Sequence, residues 1–433
     1  PYRAFAPYRL DTTELPVTDD LYHPNGAIAA AQRLAALNAE AGHTLLLPGG
    51  STAGIQAMLL YACGPGGKVV IPRNAHLSVV NLCAQAGITP VFANPLFTAH
   101  GRCYTPAAAY AAAMDEHPDA QAALAIGVDY YGLTNDLPAI AKAAHARGKI
   151  LLCDEAHGAS FNWRNDMKNA GARGADLFVQ SAHKTLPALT PGAWLHAMPG
   201  VDHERLLRML RMVQTSSPSF IIMQSLDDAR AWMDRYGSTA CVRLSRALER
   251  FRTQAARLGF ADGQDDAPAG CGYDRQRLVL RCAAGGEWLQ QQLEKHSLDV
   301  EMADAEQVVC ILSVMDGRAR LKKLLSALRK IAPLQPMAVA TQTQPKSLMP
   351  TAWPKQVVPL TKAAFAPSET LPPLDAVGRV SAVAAGRYPP GVAWLTPGDE
   401  VTAEVAQMLT NTPRERLFGL TDDGRLPCLT VEP

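Results

Sequence analysis

Between positions 43 and 200, short apolar runs alternate with longer segments whose apolar residues recur every three to four positions. The runs occupy 68–71, 90–92, 122–127, 149–153, 176–180 and 193–197. The periodic segments between them include 52–63, 78–86, 106–116 and 137–147. A short unbroken apolar run suits a buried strand, and a period near 3.6 suits a helix with one buried face. Strands separated by helices of this length need crossover connections. The pattern therefore predicts a mostly parallel sheet with helices packed on its faces. Residues 27–40 predict one more helix, preceded by an irregular arm over 1–26 that is rich in Pro, Asp and Thr.

Beyond position 200 the rhythm changes. A helix is expected over 203–213, then the polar stretch Gln214-Thr-Ser-Ser-Pro-Ser219, then a long helix over 221–257. A polar connection over 261–272 leads to strands at 277–281 and 307–314 and helices at 286–296 and 317–331, an α+β arrangement. The Pro/Gln/Thr-rich stretch 332–360 is expected to be a long loop. The expected organisation is an N-terminal arm and helix (1–42), an α/β large domain (43–260) and a smaller C-terminal α+β domain (261–433). At 433 residues the chain is long enough for two such cores.

Composition narrows the range of partners. Lys+Arg total 41 and Asp+Glu 40, a net charge of +1, which gives no electrostatic reason to expect nucleic acid or a membrane surface. No apolar run reaches the length of a membrane span and no secretory leader is visible, so a cytoplasmic location is expected. The nine cysteines are scattered singly, which fits a reducing compartment better than a disulfide framework. Small molecules are the expected ligands, and no metal is called for.

Four strings carry candidate chemistry. The first is Ser181-Ala-His183-Lys184-Thr185, directly after an apolar run. A lysine just past the C-terminal end of a parallel strand sits where α/β sheets place ligands, and partial burial lowers its pKa and frees the amine for imine chemistry. The second is Asp154-Glu-Ala156-His157-Gly158, again at a strand end. A carboxylate there can keep a pyridine nitrogen protonated, so that the ring accepts electrons from a forming carbanion. Asp-Glu-Ala-His also resembles the magnesium box of nucleic-acid helicases, but that reading needs a phosphate loop, and Gly64-Pro-Gly-Gly-Lys68-Val69 has the wrong spacing and no hydroxyl. The third is Pro48-Gly-Gly-Ser51-Thr52, before a helix, where free N–H groups and hydroxyls can ligate phosphate. The fourth is Arg73-Asn-Ala-His76, whose imidazole can stack on a flat cofactor. Taken singly, each has a plainer reading: a surface turn, a strand-end acid, a helix N-cap, a structural histidine. Their order along one α/β pattern is what points to a site.

With these strings, and with Asp11-Thr-Thr-Glu-Leu-Pro16, Tyr130-Tyr-Gly132, Thr215-Ser-Ser-Pro-Ser219, Gly378-Arg-Val-Ser381 and Tyr388-Pro-Pro-Gly391, the chain resembles the bacterial Orn/Lys/Arg decarboxylases. These have the aspartate-aminotransferase-like fold of the type I pyridoxal-phosphate (PLP) enzymes. The resemblance implies a PLP-dependent carboxy-lyase acting on lysine, arginine or ornithine, with a Schiff base on Lys184. It implies that Asp154 pairs with the ring nitrogen, that His76 stacks on the ring with Ala156 near its other face, and that Ser51, Thr52, Ser181 and His183 hold the phosphate, with His157 also in the cofactor site. It further implies at least a homodimer, with 215–219 reaching a neighbouring subunit's phosphate.

Three departures stand out. The family's Pro-Gly-His-Lys arm segment has no counterpart in Phe5-Ala-Pro-Tyr-Arg9, its lysine after the stacking histidine is Leu77, and an acidic or amide residue is replaced by Val383. These were expected to thin the polar groups at the active-site rim. They leave two alternatives open: the same cofactor with transamination, elimination or racemisation, or a catalytically altered relative with a binding role.

Overall fold

The computed structural model describes residues 9–335, 349–388 and 391–430. The arm segment 5–8, the part of the expected loop over 336–348, and Pro389 and Pro390 therefore lie outside the described residues.

The large domain is built on a seven-stranded sheet: β1 (His43–Leu47), β2 (Lys68–Pro72), β3 (Thr89–Ala93), β4 (Ala122–Ile126), β5 (Ile150–Asp154), β6 (Leu177–Gln180) and β7 (Ala193–Ala197). Its order is β1-β7-β6-β5-β4-β2-β3. β3, β2, β4, β5 and β6 run parallel, while β7 is antiparallel to both β6 and β1. The sheet is mostly parallel, as the alternating pattern predicts. β1 was not anticipated as a strand, and the hairpin-like return of β7 makes the sheet mixed at that edge.

Both faces are buried, and side-chain alternation decides which core each residue joins. Val69, Ile71, Leu152, Leu177 and Val179 pack on one face with Ile55, Met58 and Leu59 of helix α2 (Ser51–Ala62) and Val79 of α3 (Leu77–Ala86). Val70, Leu151, Cys153 and Phe178 pack on the other face with Tyr110 of α4 (Ala107–Glu116) and Ile140 of α5 (Leu137–His145). Helix α1 (Ala27–Asn38) is the element expected over 27–40. Gly54 in α2 faces the sheet so closely that a Cβ there would lie 2.6 Å from Val179 Cγ1 and 2.7 Å from Leu47 Cδ1. Only glycine lets the helix lie this near the strands.

Helix α6 (His203–Val213) precedes α7 (Phe220–Ala256), whose 37 residues span about 55 Å. The first half of α7 buries Met223, Leu226 and Met233 against the large domain. Its second half buries Leu244, Leu248 and Phe251 against a four-stranded antiparallel sheet that contains β8 (Arg277–Arg281) and β9 (Gln307–Ile311). The stretch 261–433, expected as one unit, carries two large apolar clusters and shares in two smaller ones. One is this sheet with its helices. The other lies within 349–429 around Trp394, Leu395, Val405 and Leu426, together with Cys103 of the large domain. Among the described residues no helix is long and apolar enough to cross a membrane.

A buried ion pair ties this last cluster to the large domain. Arg73 Nη1 donates to Asp399 Oδ2 at 3.0 Å, both side chains being essentially inaccessible. The same carboxylate oxygen accepts from the Thr396 N–H and hydroxyl, and the Arg73 guanidinium lies 3.8 Å over the Phe92 ring. Asp399→Ala leaves a buried guanidinium uncompensated and is expected to cost about 3–5 kcal/mol. Guanidinium-chloride unfolding measures this, and a loss below about 1 kcal/mol would show that the pair is not holding the two parts together.

Candidate active site

Strand register brings the site together. Asp154, the last residue of β5, pairs with Ile126 on one side and Val179 on the other; Gln180 pairs with Trp194, and Ala193 with Leu47. The segments that follow β1, β2, β4, β5 and β6 therefore emerge along one edge of the sheet, the place where α/β folds bind ligands. These are the segments carrying Ser51, His76, Tyr130, Asp154 and Lys184.

They enclose a cavity of about 630 Å³. Every residue assigned to the site from sequence lines it: Ser51, Thr52, His76, Asp154, Ala156, His157, Ser181, His183 and Lys184. Neither 215–219 nor Val383 lines the cavity of its own chain. The 215–219 turn, tied to the arm by the Tyr22 hydroxyl donating to the Thr215 carbonyl at 2.6 Å, does not line the cavity. Val383, expected at the rim, packs against apolar clusters instead, whereas Leu77 is at the cavity.

At one end of the cavity α2 opens with Gly50 in a positive-φ conformation (+90°) and no side-chain cap. Gly49, Gly50, Ser51 and Thr52 face the cavity, and Ser181 Oγ donates to Ser51 Oγ at 2.9 Å. Uncapped N–H groups, the positive end of the helix dipole and hydroxyls together suit an anion. His76 is the N-cap of α3. Its Nδ1 accepts from the Ser78 N–H at 3.2 Å, which fixes the ring beside the cavity. His183 Nδ1 donates to the Gly192 carbonyl at 3.0 Å, and burial holds its pKa below the ordinary imidazole range.

Across the cavity, the Asp154 carboxylate accepts from the Ala156 N–H at 3.1 Å. The next residue, Glu155, points away. It is fully buried and bonds Arg173, Gln180 and the Ala170 N–H, so this part of the Asp-Glu-Ala-His string is structural. Lys184 Nζ lies 3.1 Å from His157 Nε2 and 5.9 Å from the Tyr130 ring centroid. Burial lowers the Lys184 pKa; Asp154 and Glu301 oppose the shift and the Arg277 guanidinium adds to it. Half-buried in this way, the amine is available as a nucleophile at lower pH than an ordinary lysine.

Sequence reasoning gave no role to Arg277, Asp129, Arg102 or Arg387. The last three line the cavity, and burial raises the Asp129 carboxyl to about 6 against the pull of Arg102. Arg277 reaches the site from β8, in the other half of the molecule. The signal that could have marked it is an arginine opening an otherwise apolar strand.

The sequence profile described as "Orn/Lys/Arg decarboxylase, major domain" matches residues 7–264. The chain belongs to the Orn/Lys/Arg decarboxylase family. Among similar relatives of this decarboxylase-family chain, protein YaaO of Bacillus subtilis (strain 168) is 33% identical over 93% of this chain and 85% of its own length. The arginine decarboxylase of the same organism is 30% identical over 91% and 83%. Among solved structures, the constitutive lysine decarboxylase of E. coli superposes with a TM-score of 0.83 at 19% identity, covering 99% of this chain and 76% of that one. The Francisella novicida lysine decarboxylase gives 0.80 at 18%, covering 94% and 72%. Likeness at these identities establishes the fold, that of the type I PLP enzymes.

The family's cofactor is pyridoxal 5'-phosphate, and the cavity's donor set fits it. The helix start and hydroxyls suit a phosphate, the Asp154 carboxylate suits a ring nitrogen, and the Lys184 amine suits an aldehyde. All of them line one cavity of ligand size.

Proposed function

We propose that this chain removes the α-carboxylate of a basic amino acid, arginine first, using PLP held between Ser51, His76, Asp154 and Lys184. The observation that carries the reading is that the uncapped start of α2, Asp154 and the Lys184 amine face one cavity. When bound, the cofactor supplies an aldehyde that amines attack and a ring that accepts the electron pair left by departing CO2.

The chain's own residues have separable tasks. Ser51 and Thr52, with Ser181 and His183, orient the phosphate end. His76 and Ala156, both lining the cavity, would confine the ring from its two faces. Asp154, fixed by the Ala156 N–H, would set its negative charge against the ring nitrogen and favour the protonated ring. The Lys184 amine would hold the cofactor's aldehyde and, once released, is placed to carry a proton within the cavity. Val128, Val392, Trp394 and Phe418 give the cavity apolar walls that limit water.

Arginine is placed first because full-length relatives named arginine decarboxylase lie near 30% identity. The assembly is read as a homodimer, since 215–219 does not line its own cavity and the resemblance gives it to a second subunit's phosphate. The location is read as cytoplasmic, supported by unpaired cysteines.

The test is a panel of arginine, lysine, ornithine and non-basic amino acids incubated with the purified holoenzyme, with sedimentation of the same sample. Release of CO2 and the corresponding amine from a basic substrate is expected, from a dimer or larger assembly. A keto acid or ammonia as the product would replace decarboxylation by another reaction of the same cofactor, and a monomeric mass would remove the dimer.

A further inference from the structure

His157 touches two groups whose hydrogens can be counted. Its Nδ1 lies 2.9 Å from Arg277 Nη2, which also donates to the His157 carbonyl oxygen at 3.2 Å. Its Nε2 lies 3.1 Å from Lys184 Nζ. A guanidinium offers only donors, so Nδ1 must present its lone pair. A neutral imidazole then carries its single hydrogen on Nε2, aimed at Nζ, and the lysine nitrogen must be the acceptor. An amine can accept; an ammonium cannot. The other assignments fail locally. A hydrogen on Nδ1 would face a guanidinium hydrogen. An imidazolium would do the same and would stand as a third cation beside Arg277 and Lys184.

We propose that Arg277 fixes His157 as its Nε2–H tautomer, and that the hydrogen on Nε2 holds Lys184 as the neutral amine that attacks the cofactor aldehyde. The inference rests on Lys184 being the imine-forming residue. His157 acts directly on the reacting nitrogen, and Arg277 is a positioning residue. In the step served, the Nζ lone pair forms a C–N bond to the aldehyde carbon. The carbonyl oxygen leaves as water with the two amine hydrogens, and a C=N bond remains. No oxidant or reductant is needed.

The surroundings agree with this assignment. Lys184 is faced by Asp154 and Glu301, which favour the ammonium, and by Arg277, which with burial opposes it. His157 is faced by Arg277, Lys184, His183 and His76, all cationic when charged, and by the Tyr130 ring at 4.6 Å. Its pKa is held well below the ordinary range by burial first and Arg277 second, which keeps the ring neutral. Arg277 is 1% exposed, and among the described residues its Nε and Nη1 have no hydrogen-bond partner. Room for its stem comes from Gly132, where a Cβ would lie 2.7 Å from Arg277 Cγ.

The experiment uses the full chain stripped of cofactor. Nitrogen-15 NMR of histidine-labelled protein reads the tautomer, and stopped-flow absorbance reads the rate of imine formation with added PLP across pH. Wild type is expected to show the Nε2–H tautomer and fast imine formation at neutral pH. Arg277→Met and His157→Phe are expected to slow it at pH 7 by about tenfold or more and to restore a rate that climbs toward an ordinary lysine pKa. Arg277→Lys, which still donates to Nδ1, is expected to keep most of the wild-type rate. An Nδ1–H tautomer in wild type, or pH–rate profiles unchanged in both disruptive variants, overturns the proposal. If Arg277→Met does not fold, His157→Phe and the wild-type spectrum decide. Failure of the underlying reading looks different: wild type forms no imine band, or Lys184→Ala forms the same one.

Discussion

Lys184→Ala is expected to abolish amine and CO2 production, with a loss on the order of 10⁴-fold or more, while leaving the chain folded. Lys184 is the one lysine among the described residues that line the cavity, so no neighbouring amine can take over its bond to the cofactor. The fold has little at stake. The side chain makes one hydrogen bond, to His157, and sits in a single helical turn, Ala182–Thr185, rather than in a core. Removing it should change stability by no more than about 1 kcal/mol. Product assays beside a thermal melt separate the two effects. Turnover within tenfold of wild type would show that the amine has been assigned to the wrong residue.

Asp154→Ala is expected to lower turnover about 10³-fold with the imine absorbance band retained. Two unit charges about 4 Å apart at an effective dielectric near 20 interact by about 4 kcal/mol, which corresponds to roughly three decades in rate. In the proposed site the carboxylate acts on the ring and the amine on the aldehyde, so the two variants should split. One loses the band and the rate, the other the rate alone. Spectra and rates measured on both proteins check this, and loss of the band in Asp154→Ala would mean that its main role is to hold the cofactor in place.

The site was legible because its parts are local. Gly50 and Ser51 at a helix start, Asp154 at a strand end and Lys184 one turn past the next strand are each announced by a change of period in their own neighbourhood. The parallel core was legible for the same reason, and strands such as Ala193–Ala197 coincide with the apolar runs. What escaped depends on distant partners. His43–Leu47 was not anticipated as a strand because only β7, far along the chain, pairs with it. Arg277 belongs to the site through a contact with His157 that spans 120 positions. The strands beyond 360, such as Ser368–Leu371 and Val392–Leu395, are short and sit among prolines and glycines, so no period could establish itself. Val383 was placed at the rim by resemblance alone and proved to be packing.

Gly54 has a further consequence. In the proposed site, a rigid molecule held at its phosphate by the start of α2 and at its aldehyde by Lys184 would need those two grips at one fixed separation. The β6 strand that leads to Lys184 carries Val179, and the bare α-carbon of Gly54 lies against that side chain. A single methyl group there would act as a shim between helix and sheet, lifting the phosphate grip away from the amine. The gauge of the binding site is thus set on the hidden side of the helix, by a side chain the protein leaves out.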